Sequence, residues 1–398
     1  MAEALEGIRV VELADFQAGP IQATVLGDYG AEVIKIERAG IGSFMRDPDT
    51  MKGGVADFPI NYTFENFNRN KKSFVVNLKS TTGQEIAHRL IKSADVFLTN
   101  TELSELQKFN LTYETLAKIN PRLIYAHSSA YGHEGPDAGK RGFDMGAWSR
   151  GGPMLRIAEP GCPPPLNPLG LPDCVQATYS ALGIILALYV RERTGEGQMV
   201  TNSLFGSLLW SCMIQVEAAI VTGIEGAPRA RAQEGNPFYN RYKTKDGRWL
   251  VLLRSNWHDA CEALEITEYE NDPRFVSFTR RIGNSADLIA IIDKAVASRP
   301  MKEWEERFKG KDVIWSVAQT YMEAVEDPQT IANEYIVDFN HPKYGPWKYT
   351  GMPIKLNKTP PSIRMPAPEL GQHTEEILAS LGYNRTQIKR FKEDKIIP

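Results

Sequence analysis

Paired cysteines are what this 398-residue chain most plainly lacks. Its four cysteines (Cys162, Cys174, Cys212 and Cys261) lie far apart and form no CxxC, and its six histidines form no HxxxH. That excludes the common zinc spacings and a dithiol redox site, and no metal site is expected. Reduced thiols in a cytoplasm fit best. Long apolar runs are also missing: the longest, Ala181 to Val190, is half a membrane span. The opening Met-Ala-Glu-Ala-Leu-Glu has no basic region followed by an apolar one, so neither a secretory leader nor a membrane anchor is expected. Charge of one sign is scarce too, with 46 basic against 49 acidic residues and a net charge of −3. No global field draws nucleic acid or an anionic membrane to the chain. Nucleotide and hydrolase signatures are absent. Arg38-Ala39-Gly40-Ile41-Gly42-Ser43-Phe44-Met45 lacks the third glycine of GxGxxG, and there is no P-loop, GxSxG or HExxH.

What is present is an ordinary globular balance, 42% hydrophobic and 24% charged, over a length that calls for two or three domains. The first 135 residues alternate between two periods. Ile8–Leu13, Ala31–Ile36, Ser73–Leu78, Val96–Thr99 and Leu123–Ser128 read as strands. Helices are expected from Gly19-Pro20 to Tyr29-Gly30, from Ser80 to Lys92 and from Thr112 to Ile119. Such alternation predicts βαβ units and a mostly parallel sheet, an α/β fold. Gly40, Gly42, Gly53 and Gly54 mark a long loop of the functional or mobile kind.

Residues 150–172 are rich in glycine and proline and lead into the longest helix signal, Asp173 to Arg193. That helix is apolar nearly all round and should be buried. Gly195-Glu196-Gly197 ends it, and Met199–Leu204 is a further strand. Beyond residue 224, Arg241–Lys243 and Arg248–Leu253 flank a hairpin turn at Asp246-Gly247. Trp257–Leu264, Ser285–Val296 and Met301–Lys309 read as amphipathic helices, the last exposing Glu303-Trp304-Glu305-Glu306. This is a smaller α+β domain. Residues 340–368 suggest an extended linker, and the tail from Thr374 is helical.

Two residues carry possible chemistry. Asp173 follows a proline at the mouth of the longest helix, with Gln176 three residues on. As a D-x-x-Q capping box it stabilises the helix by ~1 kcal/mol. The same position keeps a carboxylate ionised and oriented, which suits a nucleophile attacking an acyl carbonyl. Gln17 stands at the carboxyl end of the first strand, where parallel sheets place ligand crevices, and its amide could donate to an oxyanion. It reads equally as a polar loop residue before a proline-initiated helix. Arg38, Lys71, Lys72, Lys79, Lys108, Lys140 and Arg141 form either a phosphate-binding rim or a solvated face. Phe16, Phe143, Trp148, Phe238 and Tyr239 line an acyl pocket or are plain core.

At these residues the sequence resembles the class III CoA-transferases, the family of formyl-CoA transferase and carnitine CoA-transferase. The likeness runs almost end to end. It rests on Leu5–Leu13, Gln17-Ala18-Gly19-Pro20, Gly30–Glu37, Asn70-Lys71-Lys72-Ser73 and Ala94-Asp95-Val96 up to Asn100. Tyr131-Gly132 ahead of Gly142-Phe143-Asp144, and Gly371–Leu378, complete the ordered pattern. The branch handling 2-hydroxy acids and aryl acids is the nearer one, through Gly142-Phe143-Asp144 and Asn236-Pro237-Phe238, and the glycine-rich substrate loop of the oxalate-using members is missing.

The resemblance implies Asp173 as nucleophile, passing through an acyl anhydride and an aspartyl thioester, with Gln17 stabilising oxyanions and Asp144 in an acidic role. It implies CoA contacts at Gln17, Ala18, Arg38, Val76, Asn77, Leu78, Lys79, Asn100, Lys108 and Arg141. Lys108 stands where the formyl-specific members have arginine, and Arg141 where they have lysine, so charge is kept while the fork geometry changes. Coenzyme A and acyl-CoA are then substrates rather than tightly bound cofactors, and exchanging one thioester for another needs neither ATP nor a metal. The implied fold is a Rossmann-like large domain built from both chain ends plus a smaller α+β domain, each subunit a ring interlocked with another as a homodimer. The chain then divides into residues 1–204, a linker at 205–224, a small domain at 225–330, a linker at 331–370, and C-terminal helices at 371–398. An α-methylacyl-CoA racemase of the same superfamily carries Gly-His-Asp where this chain has Gly142-Phe143-Asp144, and phenylalanine cannot exchange a proton. A CoA-binding protein without turnover, with Asp173 only a cap, is the remaining alternative.

Overall fold

A computed structural model describes residues 3–47, 60–224, 226, 228 and 230–398. In chain order the first part comprises β1 (Arg9–Leu13), α1 (Ala18–Asp28), β2 (Glu32–Glu37), α2 (Tyr62–Asn68), β3 (Lys71–Val75) and α3 (Thr81–Lys92). Then come β4 (Val96–Thr99), α4 (Leu103–Lys108), α5 (Tyr113–Ile119), β5 (Ile124–Ser129), α6 (Asp144–Arg150), α7 (Pro153–Arg156), α8 (Leu171–Thr194), β6 (Met199–Ser203), α9 (Leu204–Ser211) and α10 (Met213–Thr222).

The six strands form one parallel sheet in the order β3-β2-β1-β4-β5-β6. Both faces are covered, so the strands alternate between two apolar clusters rather than between core and water. Val10, Val33, Val96, Leu98 and Ile124 face α1 and α8. Val11, Ile34, Phe74, Phe97 and Tyr125 face α3, α5 and the C-terminal helices. The order reverses between β1 and β4, and the crevice outside the carboxyl ends of those strands is where such sheets take ligands.

A second unit contains a three-stranded antiparallel sheet of β7 (Asn240–Lys243), β8 (Trp249–Ser255) and β9 (Val313–Val317). Between β8 and β9 run α11 (Trp257–Leu264), α12 (Phe278–Gly283), α13 (Ser285–Val296) and α14 (Met301–Phe308). Residues 155–165 and 225–333 make up this unit, and the rest of the chain makes up the first. After α15 (Tyr321–Glu326) and α16 (Pro328–Ala332) the chain forms a hairpin of β10 (Ile336–His341) and β11 (Gly345–Thr350), then α17 (Thr374–Ser380) and α18 (Arg385–Glu393).

The returning tail explains why its sequence is so particular. His373 Nδ1 accepts the Ser73 N–H at 3.2 Å, Thr374 Oγ1 accepts the Val75 N–H at 3.1 Å, and Gly371 N–H donates to Ser73 Oγ at 2.8 Å. Side chains thus satisfy the edge of β3 in place of a neighbouring strand.

Several expectations need correction. The helix read from Asp173 starts at Leu171, with Gly170 as its N-cap at φ 78° and no side-chain cap. Asp173 is therefore in the first turn and is not the capping residue, and Gln176 Nε2 donates to Ser129 O at 3.0 Å instead of closing a box. By length and composition alone α8 could cross a membrane, yet its Ala181, Ile184, Ala187 and Leu188 pack on the sheet. It is not buried all round: Leu182, Leu186 and Tyr189 are more than half exposed. Strand β3 begins at Lys71 rather than Ser73, because Lys71 and Lys72 join the ladder with Val33 and Ile34.

Trp304, expected to be exposed, is fully buried and donates through Nε1 to Val296 O at 3.0 Å. Phe238 packs in the core of the second unit beside Trp257, the plain-core alternative for that residue. Residues 340–368 begin with the end of β10 and all of β11, and residues 204–222 are mainly helical. Gly53 and Gly54 lie outside the described residues.

Candidate active site

The site grows from the residues that leave each strand at the carboxyl edge of the large sheet. Gln17 comes after β1, Arg38 after β2, Val76 to Lys79 after β3 and Asn100 after β4, and Arg141 and Asp144 lie beyond β5. Topology alone brings these sequence-distant residues to one edge.

The turn after β1 is unusually constrained. Phe16 has φ 59°, a left-handed conformation that costs a phenylalanine on the order of 1–3 kcal/mol and persists only where its surroundings fix it. Asn100 fixes it from β4, accepting the Asp15 N–H at 3.0 Å and donating to Asp15 O at 2.8 Å. The Asp15 carboxylate accepts from Phe16 N–H at 3.0 Å, Ser43 Oγ at 2.5 Å and the Arg38 guanidinium at 2.5 Å. Gln17 then sits at the N-cap of α1, 8% exposed, its carbonyl accepting the Ile21 N–H at 2.9 Å.

Opposite this turn stands the mouth of α8. Gly170 has a positive φ, which favours glycine, and a Cβ there would stand 2.4 Å from Gln17 Oε1 and push that amide aside. Its N–H donates to Asp144 Oδ2 at 3.0 Å, and Asn167 Nδ2 donates to the same oxygen at 2.9 Å. Asp144 Oδ1 accepts the Met145 N–H at 2.7 Å. The Asp144 carboxylate is thereby the pin that closes the 167–170 turn. Nothing in the sequence singled out Asn167 or Gly170, although the Asn167-Pro168-Leu169-Gly170 breakers were visible as a turn signal. Asn167 Oδ1 and Trp148 Nε1 remain buried without partners beside this region.

Asp173, 9% exposed, completes the group. Burial, and then the Asp144 charge, push its carboxyl up to about 7. The expectation that a helix N-terminus keeps it firmly ionised is thus corrected: desolvation and a like charge work against the helix, and the group titrates near neutrality. Phe16 meets Phe143 edge-on at 5.2 Å and Phe44 in a stack at 5.7 Å, giving the crevice an aromatic wall. Trp148 is buried with Ala18, Ala147, Leu204 and Leu208.

The basic residues divide. Arg38 is 43% exposed at its side chain and lies 3.8 Å over the Phe44 ring. Lys79, after β3, and Lys108, at the end of α4, are both exposed, and Gln84 Nε2 ties the two segments together by donating to Leu78 O at 3.0 Å and Lys108 O at 3.2 Å. Arg141 is exposed and paired with Glu102 at 2.5 Å, and Lys140 is 3.7 Å from Asp137. Val76 and Leu78 are buried in the core, leaving Asn77 half-buried between them. Lys71 and Lys72 do not belong to a phosphate rim. Lys71 is wholly buried against Glu12, and Lys72 pairs with Glu32 and Glu376.

The geometry therefore offers a buried near-neutral carboxylate in the first turn of α8, an amide against the Gly170 N-cap of the same helix, and exposed cations on segments that leave the sheet edge. Comparison with known proteins agrees. The sequence profile of CoA-transferase family III matches residues 5–374. The chain is 33% identical to a (R)-2-hydroxy-4-methylpentanoate CoA-transferase of Clostridioides difficile, over 99% of both chains. It is 32% identical to a cinnamoyl-CoA:phenyllactate CoA-transferase of Clostridium sporogenes, covering 98% of this chain and 96% of that one. Among solved structures, a CAIB/BAIF family protein from Brucella suis superposes with a TM-score of 0.83 at 28% identity, covering 96% of this chain and all of that one. The chain belongs to CoA-transferase family III and is a CoA-transferase by descent and fold.

Proposed function

We propose that this enzyme moves coenzyme A from an acyl-CoA to a carboxylic acid through covalent intermediates on Asp173. The observation that carries the reading is the Asp173 carboxyl, buried at the first turn of α8 and raised to about 7 by burial and Asp144. A carboxylate made more basic is a better nucleophile once ionised, and near neutral pH a large fraction is ionised.

In the first step an Asp173 oxygen attacks the thioester carbonyl carbon. The C–S bond breaks, CoA leaves as thiolate, and an acyl–aspartyl anhydride remains. The thiolate then attacks the Asp173 carbonyl carbon and breaks the anhydride C–O bond. The donor acid leaves as carboxylate, and Asp173 holds CoA as a thioester. The acceptor carboxylate reverses the two steps and departs as the new thioester, with no net proton taken up. Gln17, across Gly170 from the mouth of α8, donates its side-chain amide to the oxyanions. Asp144 holds the 167–170 turn and keeps Asp173 basic.

Coenzyme A lies along the carboxyl edge, with its thioester beside Gln17 and Ala18 and its phosphates near Arg38, Lys79, Lys108 and Arg141. Residues 76–79 and Asn100 flank the adenosine and pantetheine. Asn100 has both amide atoms committed to Asp15, so it contributes by shaping the turn, and Arg141 exchanges Glu102 for phosphate. A 2-hydroxy or aryl acid as the exchanged acid is supported by the names of the two relatives and by the wall of Phe16, Phe44 and Phe143. A homodimer is supported by the apolar side of α8, where Leu182, Leu186 and Tyr189 stand exposed, and by Trp210, Ile214 and Val221 nearby in sequence.

Four outcomes are expected. With a panel of acyl-CoA donors and 2-hydroxy or aryl acids, the purified protein transfers CoA, and Asp173→Asn abolishes transfer; full activity in that variant contradicts the reading. The kcat/KM for acyl-CoA rises with pH to a plateau, half-maximal at about 7 in the free enzyme. Asp144→Asn moves that midpoint to lower pH, because one of its two raising causes is gone, and an unmoved midpoint assigns the limb to another group. Sedimentation at micromolar concentration gives a dimer, and a stable monomer removes the dimer reading.

A further inference from the structure

Beneath the turn that carries Gln17 lie three charges that the transfer steps do not use. Glu12 on β1 and Lys35 on β2 are paired directly across the ladder, and Lys71 enters from β3. None of the three side chains is more than 1% exposed. Lys35 Nζ lies 2.6 Å from Glu12 Oε1 and donates to Ala14 O at 2.7 Å. Lys71 Nζ lies 2.8 Å from Glu12 Oε2, off hydrogen-bond alignment, and donates to Pro20 O at 2.8 Å.

The two accepting carbonyls bracket residues 15–19. Both ends of the turn thus hang from ammonium groups that share one carboxylate. Between those ends Phe16 occupies its left-handed conformation, which needs restraint from outside. A buried triad is a poor way to gain stability, since apolar side chains of the same volume commonly do as well or better. Burial pulls the Lys71 ammonium down to about 7 against the attraction of Glu12, so this charge depends on its neighbours and not on solvent. What the triad does that apolar residues could not do is grip two specific carbonyl oxygens.

We propose that Lys35 and Lys71, joined through Glu12, are positioning residues that set where the Gln17 amide stands during transfer. The proposal rests on the reading of Gln17 as oxyanion donor. Lys71 touches no reacting atom; it acts through the Pro20 carbonyl at the start of α1.

A double-mutant cycle on the full-length enzyme tests it. Gln17→Ala, Lys71→Met and the pair are assayed for kcat and for KM toward the acyl-CoA. Gln17→Ala is expected to lower kcat about a hundredfold. Lys71→Met alone is expected to lower kcat about tenfold or more with KM changed by less than about twofold, since the amide is displaced while CoA contacts remain. In the Gln17→Ala background Lys71→Met then has little further effect. A Lys71→Met loss that persists undiminished in that background overturns the proposal, and so does unchanged kcat in folded Lys71→Met. If Gln17→Ala itself leaves kcat intact, the oxyanion reading fails and takes the proposal with it, a result distinct from either of the others. Should Lys71→Met not fold, Glu12→Gln, which keeps the shape and removes the shared charge, takes its place in the same cycle, and each outcome supports or overturns the proposal in the same way.

Discussion

The reversal of strand order between β1 and β4 is the constraint on which the rest of the large unit depends. It opens the crevice and places the ends of five strands on one rim, so residues as distant as Gln17 and Asp144 become neighbours of one site. The short turn leaving β1 has to enter α1 at once, and Phe16 meets that geometry only in a left-handed conformation. Asn100, Asp15 and the buried ammonium groups of Lys35 and Lys71 hold the turn from three sides. The site is therefore built into the sheet rather than mounted on a loop, which favours a fixed geometry over an adaptable one.

Electrostatic tension is concentrated at the mouth of α8. Two carboxyl groups, Asp144 and Asp173, are both nearly buried, but their surroundings differ. Asp144 is held by three N–H donors, while Asp173 is pushed toward its neutral form by burial and by Asp144 itself. Asp144 closes a turn, and Asp173, raised to about 7, is the group proposed as nucleophile. Gly170 lets the turn and the Gln17 amide approach closely, and any side chain at that position would fill the gap.

Much of this was legible in the sequence. Short apolar strands separated by helical stretches predicted the parallel sheet, and all six of its strands were located to within about three residues, the margin usual for element ends. The family followed from ordered motifs and agrees with the matched profile. Other features were hidden for physical reasons. Asn70-Lys71-Lys72 reads as a solvated run, because only the three-dimensional pairing with Glu12 makes a buried lysine tolerable. Asp173 resembled an N-cap because aspartate favours that place, yet a glycine with positive φ starts the helix three residues earlier. Trp304 sits among three glutamates and still points inward, since its neighbours in sequence occupy other faces of the same helix. The hairpin at 336–350 was masked by its proline and lysine content.

The central claim is that Asp173 itself becomes covalently attached during transfer. The most direct measurement is mass spectrometry of peptides from enzyme incubated with a competent acyl-CoA in the absence of an acceptor acid and then quenched. A CoA or acyl adduct on the peptide containing Asp173, absent from Asp173→Ala, is the predicted result. A transferring enzyme that carries no adduct there, or carries it on another residue, contradicts the claim.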